Sequence, residues 1–183
     1  MCIRDSSYTV TNAQPANAGS YTVTVTSGAN SVTSEPANLT VSSGSTATRL
    51  INISTRAMVG TGANILIPGF VVTGPGTETL LIRADGPSLT GFGVTGVLAQ
   101  PTLSVYSGST VIASNTGWGT NTNPALISST AAQVGAFAFT SGSADCAVIV
   151  NLSAGNYTVQ ISGVNSTTGV ALAEVYELSL IHI

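Results

Sequence analysis

Short runs of β-branched and other apolar residues, separated by turn residues, repeat along most of this chain. Such runs favour strands, and turns at this close spacing favour hairpins. We therefore predict an all-β fold, a β-sandwich or jelly-roll-like domain. The predicted hairpins join residues 70–73 to 77–83 around Gly74-Pro75-Gly76, 102–106 to 110–114 around Ser107-Gly108-Ser109, and 146–151 to 157–162 around Ala154-Gly155-Asn156.

One segment departs from the strand pattern. Asn123 is a residue type that caps helices, Pro124 suits a first helical position, and residues 125–133 contain good helix formers. The sequence therefore predicts one short helix over residues 124–133.

The composition indicates a folded chain that does not bind nucleic acid. Charged residues make up 6% of the sequence, Lys is absent, hydrophobic residues make up 43%, and the formal net charge is -3. Disordered chains have the opposite profile, with few apolar residues and high net charge. Phosphate binding needs clustered Lys or Arg, which this chain does not have. No apolar run approaches the roughly 20 residues of a membrane-spanning helix.

Both ends of the chain resemble translated sequencing adapter. With suitable codons, residues 1–6 read ATGTGTATAAGAGACAG, and residues 178–183 read its reverse complement. We therefore expect residues 1–6 and 179–183 to be adapter artefact at the ends of a metagenomic fragment. This interpretation removes Cys2 and His182 from the chemistry and leaves Cys146 alone, as a small buried hydrophobe.

Catalysis needs a proton carrier or an activated nucleophile, and few candidates remain between the predicted adapter segments. That part of the chain has no His and no Lys, so we expect no enzyme activity, no cofactor and no metal site. A two-carboxylate hydrolase would need two acidic side chains converging in a cleft, and no sequence feature brings two together. The candidates are Glu35, Glu78, Asp85, Asp145, Glu174 and Glu177.

Two charged residues interrupt apolar strands and therefore need buried partners. Arg83 follows Leu80-Leu81-Ile82, and Glu174 shares a strand face with Val170, Leu172 and Tyr176 by strict alternation. We predict a structural ion pair between Glu174 and either Arg83 or Arg56. The functional alternative is an anion-binding Arg83 at a pocket.

The single Trp lies in a polar, glycine-rich loop over residues 114–123. If exposed, Trp118 could stack on a sugar, with Asn115, Asn121 and Asn123 as hydrogen-bonding neighbours. The competing interpretation is that Trp118 plugs the end of the core, because Trp is usually well buried. A calcium site is disfavoured, since the loop contains no carboxylate.

The stretch Asn17-Ala18-Gly19-Ser20-Tyr21-Thr22-Val23 resembles the D-A-G-x-Y-x-C signature of immunoglobulin-like domains. Asn17 replaces the usual Asp and Val23 replaces the Cys, as in cysteine-free bacterial modules. The resemblance implies a corner in which the Tyr hydroxyl bonds back to upstream backbone. It also implies that residues 7–41 are the last three strands of such a domain, with an apolar face left exposed. Residues 42–46 form a predicted linker.

The main domain, predicted over residues 47–178, resembles two kinds of secreted bacterial module. Residues 101–106, 111–115 and 152–163 are similar to bacterial pre-peptidase C-terminal domains, although Thr116-Gly117 stand where acidic residues often occur there. Residues 49–56, 81–89 and 168–176 resemble an uncharacterised β-sandwich module that follows immunoglobulin-like repeats in large bacterial surface proteins. The second resemblance spans nearly the whole domain.

These observations lead us to expect a non-catalytic structural or adhesion module of a large secreted or cell-surface bacterial protein. The alternative is a carbohydrate-binding appendage of a secreted hydrolase. The expected partners are a cell-surface or matrix polysaccharide or a protein, with no nucleic acid and no membrane span in this fragment.

Overall fold

The computed structural model describes residues 9–11, 13–41 and 51–178. The chain divides into two compact units, Met1–Thr48 and Arg49–Ile183. The predicted linker 42–46 and both predicted adapter segments, 1–6 and 179–183, lie outside the described residues.

The described residues of the first unit form four short strands, where three were expected. They are β1 (Gly19–Tyr21), β2 (Thr24–Ser27), β3 (Asn30–Thr33) and β4 (Ala37–Leu39). Strand β1 pairs with β4, and β2 pairs with β3 through a turn at Gly28, which has a φ of +61° that favours glycine.

An apolar face of the first unit is exposed, as the sequence predicts. Val23, Val25 and Val32 are 65%, 66% and 74% exposed, and Val25 lies directly opposite Val32 in the β2–β3 pair. Tyr21, at the end of β1, is 38% exposed. Because these side chains remain largely exposed, they contribute little hydrophobic stabilisation to the described unit.

Residues 51–178 of the second unit form one antiparallel sheet of six strands in the order β5-β10-β6-β9-β7-β8. With one short α-helix among these residues, the fold is all-β and sandwich-like, as predicted. The elements are β5 (Asn52–Val59), β6 (Gly69–Asp85), β7 (Pro101–Ser107), β8 (Thr110–Asn115), α1 (Pro124–Gln133), β9 (Cys146–Gly163) and β10 (Gly169–Glu177).

Two of the three hairpins predicted for this unit are wrong. Residues 69–85 form the single strand β6 and residues 146–163 form the single strand β9, and these two strands pair with each other. The register shifts between Val72 and Thr77, so the Gly74-Pro75-Gly76 segment is a bulge and not a reversal. Gly74 and Gly76 have φ values of +103° and +90°, and Pro75 lacks the N–H that a ladder needs. The third hairpin, β7–β8, is confirmed.

The bulge divides the pairing of β6 with β9 into two stretches. Residues 69–72 of β6 pair with residues 155–158 of β9, and residues 77–84 of β6 pair with residues 146–153 of β9. Each long strand therefore contributes to the two halves of the sheet, which lie on either side of the bulge. The inner core receives side chains from both halves. Its buried members include Leu80, Ile82, Ala84, Leu103, Val105, Cys146, Val148, Val159 and Ile161.

A second apolar cluster lies on the opposite face of β6. Helix α1 and the segments around it cover this face, and the helix begins as predicted, with the Leu126 N–H donating to Asn123 Oδ1 at 3.0 Å. The buried members are Leu81, Trp118, Ile127, Ala131, Ala147 and Tyr176. This outer face also carries Arg83 and Asp85 of β6.

Candidate functional site

Strand register brings Arg83 and Glu174 together inside the protein. Strand β10 pairs with β6 so that Glu174 lies directly opposite Arg83. Arg83 Nη1 is 3.4 Å from Glu174 Oε2, and the two residues are 0% and 6% exposed. The structure therefore contains the ion pair predicted from the two interrupted apolar strands.

Arg56 is not the partner of Glu174. It lies exposed on the edge strand β5, opposite Leu172, whereas Glu174 faces Ser54 on that strand. Of the two arginines considered from the sequence, Arg83 is the one that is buried with Glu174.

A second carboxylate, Asp85, joins the pair and was not predicted to do so. Asp85 Oδ1 is 3.3 Å from Arg83 Nε, and both side chains are fully buried. The two residues share a strand face because they are two positions apart on β6. Alternation alone could have suggested this contact from the sequence, once Arg83 was taken as buried.

Two phenylalanine rings enclose the Arg83 guanidinium. Arg83 Cζ lies 4.3 Å from the Phe137 ring centroid and 4.0 Å from that of Phe139, and Phe139 lies 5.9 Å from Trp118. A desolvated cation over an aromatic face gains about 0.5–2 kcal/mol per ring. The guanidinium nitrogens make no hydrogen bond within the described part of the chain. The guanidinium group is therefore surrounded by two aromatic rings and by carboxylate groups.

The balance of charge in this cluster favours a protonated Asp85. Burial raises the pKa of Asp85 well above its usual value, the Arg83 cation opposes that shift, and the neighbouring Glu174 and Asp145 charges raise the pKa further. One cation does not fully compensate several buried carboxylates, so the neutral form of Asp85 is more favoured than that of a solvent-exposed Asp.

The Tyr176 hydroxyl completes the cluster by donating to Glu174 Oε1 at 2.8 Å. Burial, followed by the bond to Glu174 and its charge, raises the pKa of Tyr176 above its usual value. Tyr176 therefore stays a neutral donor over the physiological pH range.

Asp145 organises the turn after β6. Its carboxylate accepts from the Gly86 N–H at 2.7 Å, the Ser88 N–H at 3.2 Å and the Ser88 hydroxyl at 2.5 Å, and it is fully buried. A Cβ at position 86 would lie 2.1 Å from the Leu98 carbonyl oxygen, which explains the glycine there. These bonds give Asp145 a structural role.

The convergence of carboxylates does not form an accessible acid–base site. Asp85, Asp145 and Glu174 are 0%, 0% and 6% exposed. General acid–base catalysis requires the carboxyl group to come within hydrogen-bond reach of a substrate. The acids considered from the sequence for a two-carboxylate hydrolase are therefore buried at this position.

The structure buries Trp118. The residue is 9% exposed, its ring N–H donates to Ser143 Oγ at 3.2 Å, and its backbone N–H donates to the Asp145 carbonyl at 2.6 Å. This arrangement corresponds to the core-plug interpretation, and the ring has little face available for a sugar.

The three asparagines considered with Trp118 have structural partners. Asn115 accepts from the Ala147 N–H at 3.2 Å, Asn121 donates to the carbonyls of Trp118 and Ala147 at 2.7 and 3.0 Å, and Asn123 caps α1. The loop is therefore tied to β9 and to the start of the helix.

Cys146 lies in the inner core, where its thiol donates to the Pro101 carbonyl at 3.0 Å. Burial raises the pKa of the Cys146 thiol to about 11. A thiol of that pKa is protonated at neutral pH and is a poor nucleophile.

In the part of the chain that the structure describes, no group of three His, Cys, Asp or Glu side chains is arranged to hold a metal ion. The helices in that part are all too short or too polar to cross a membrane. No known family model matches the chain, and no curated protein is similar to it in sequence.

Proposed function

We propose that this chain is a non-catalytic structural or adhesion module of a large secreted or cell-surface bacterial protein. The observation that carries the proposal is the burial of four charged side chains. Arg83, Asp85, Asp145 and Glu174 are at most 6% exposed and contact one another or nearby backbone. Such groups support the fold and are not available to a substrate.

The chemistry of the surface supports presentation at a cell surface. The sequence has no Lys and only 6% charged residues. The exposed positions of β5, for example, are filled largely by Ser, Thr and apolar residues. A neutral, hydroxyl-rich β-structure suits a repeated stalk or adhesion array, in which domains space and present a binding region.

The first unit supports an immunoglobulin-like neighbour for the main domain. The Tyr21 hydroxyl donates to the Asn17 carbonyl at 2.7 Å, which is the backbone contact of a tyrosine corner. We therefore propose that residues 7–41 belong to an immunoglobulin-like repeat, and that its exposed valines pack against other strands of that repeat in the parent protein.

Antibodies raised against the full chain test the proposed location. They are applied to intact and to permeabilised cells of the microbial sample that carries the sequence, with an antibody to a cytoplasmic protein as control. We expect labelling of intact cells or of their extracellular matrix. Labelling only after permeabilisation would contradict the proposal.

A hydrolase panel tests the non-catalytic part of the proposal. The parent chain and Glu174→Gln are compared on glycoside and ester substrates, and we expect no turnover above background in either. Turnover by the parent that Glu174→Gln abolishes would show that the buried carboxylates act on a substrate.

A further inference from the structure

A polar depression is lined by residues on either side of Trp118 in the loop that carries it. Its volume is about 330 Å³, within the roughly 300–1,000 Å³ range of small-ligand sites. Every side chain that lines it is neutral and ends in a hydroxyl or an amide. The lining residues are Ser114, Asn115, Thr116, Thr120, Asn121 and Thr122.

The frame of this depression is held in place by internal hydrogen bonds. Asn115 Nδ2 donates to the Gly117 carbonyl at 3.1 Å and to Thr120 Oγ1 at 3.3 Å, while Asn115 Oδ1 accepts from β9. Asn121 Nδ2 donates to two carbonyls, those of Trp118 and Ala147. A frame ordered before binding loses little conformational entropy when a ligand enters.

Other polar groups of the depression are free to bind a ligand. The hydroxyls of Ser114, Thr116 and Thr122 and the Oδ1 atom of Asn121 take part in no hydrogen bond within the described part of the chain. The three hydroxyl residues are exposed and Asn121 is partly buried. Together they present both donors and acceptors to solvent.

We propose that this depression binds a neutral saccharide through hydrogen bonds to its hydroxyl groups. The lining has no cation to compensate a phosphate, sulfate or uronate, and no carboxylate to hold a metal ion. It also lacks the apolar surface that a hydrophobic ligand requires. A neutral polyhydroxyl ligand matches its donors and acceptors, directly or through bridging water.

The site differs from the one predicted from the sequence. Trp118 and Asn123 do not line the depression, so binding here needs no aromatic stacking. The inference rests on the proposed adhesion function, because a single site of this type binds weakly and becomes effective only when a parent protein presents many copies.

The test uses the full chain, coupled in many copies to beads, and an array of neutral and acidic oligosaccharides. The variant Thr116→Val/Thr122→Val removes two hydroxyls with little change of shape. Thr95→Val is the matched control, because Thr95 is also exposed but lies outside the depression. Trp118 fluorescence and the melting temperature verify that each variant keeps the fold.

We expect the parent chain to retain neutral glycans and the double variant, which lacks two hydroxyl groups that can bind the ligand, to bind them about tenfold more weakly. The Thr95→Val control should bind like the parent. Equal binding by the parent and the double variant would overturn the site, as would retention of acidic glycans alone or of no glycan. Those results would leave the proposed location intact, since cell labelling tests it separately.

Discussion

The two faces of strand β6 are equally buried but lie in different chemical environments. Leu80, Ile82 and Ala84 point into the inner core among other aliphatic side chains. Leu81, Arg83 and Asp85, which alternate with them, point to the outer face beneath α1 and the aromatic rings. All six residues are at most 5% exposed.

The difference shows that equal burial does not mean equal energetics. The inner face depends on packing and the removal of apolar surface from water, neither of which responds to pH. The outer face depends on the balance among one cation, several carboxyl groups and two aromatic rings. Replacement of a buried ion pair by apolar residues is often neutral, but removal of one partner alone is costly.

The largest effect should come from Arg83→Met. This change leaves the buried Glu174 carboxylate without its cation and should lower the free energy of unfolding by about 3–5 kcal/mol at pH 7. Trp118 is the single Trp of the sequence and is buried in the second unit, so its fluorescence during urea unfolding reports on that unit. An unchanged midpoint would mean that the cluster contributes nothing.

On the inner face, Leu103→Ala should cost about 2–5 kcal/mol, because Leu103 is fully buried and its truncation leaves a cavity. We predict that this loss is the same at pH 5 and pH 8. A loss for Leu103→Ala that varied with pH as strongly as that for Arg83→Met would remove the distinction between the two faces.

Asp85→Asn should be milder and should act through pH. The folded pKa of Asp85 lies above the unfolded value of 3.8, so the folded state binds more protons between those two values. Its contribution to stability is therefore present below pH 3.8 and is lost as pH rises through the folded pKa. We expect Asp85→Asn, which mimics the neutral acid, to flatten this decline in urea midpoints measured across pH.

The smallest of these effects should come from Asn123→Ala, which removes the cap of α1. Loss of an N-cap costs about 1 kcal/mol, because one backbone N–H loses its partner. The helix covers only the outer face, so we expect increased hydrogen exchange in α1 and no change at β7. Equal changes at β7 would indicate that the two faces unfold together.

Local sequence signals predicted the elements that depend on local chemistry. The cap at Asn123 and the turn at Gly108 are decided by a few neighbouring residues, and both α1 and the β7–β8 hairpin are confirmed. Gly74-Pro75-Gly76 has the same turn composition but forms a bulge, because the distant strand β9 continues the ladder across it. Turn residues alone do not distinguish these outcomes.

The buried charge cluster was also predictable only in part, because some of its contacts depend on distant segments. An Arg and a Glu inside apolar strands indicated a pair, and the structure contains it. The positions of Phe137 and Phe139 depend on how the segment after α1 packs on the outer face, and no local pattern indicates this. The burial of Trp118 was one of two interpretations that the sequence left open.

A double-mutant cycle on Arg83→Met and Glu174→Gln tests the central claim, that these charges form one structural unit. Urea unfolding of the four proteins, followed by Trp118 fluorescence at pH 7, gives the coupling energy. We predict that Arg83→Met costs much less in the Glu174→Gln background than in the parent, with a coupling of about 0.5–3 kcal/mol. Additive costs, with no coupling, would show that Arg83 and Glu174 act independently and do not form one structural unit.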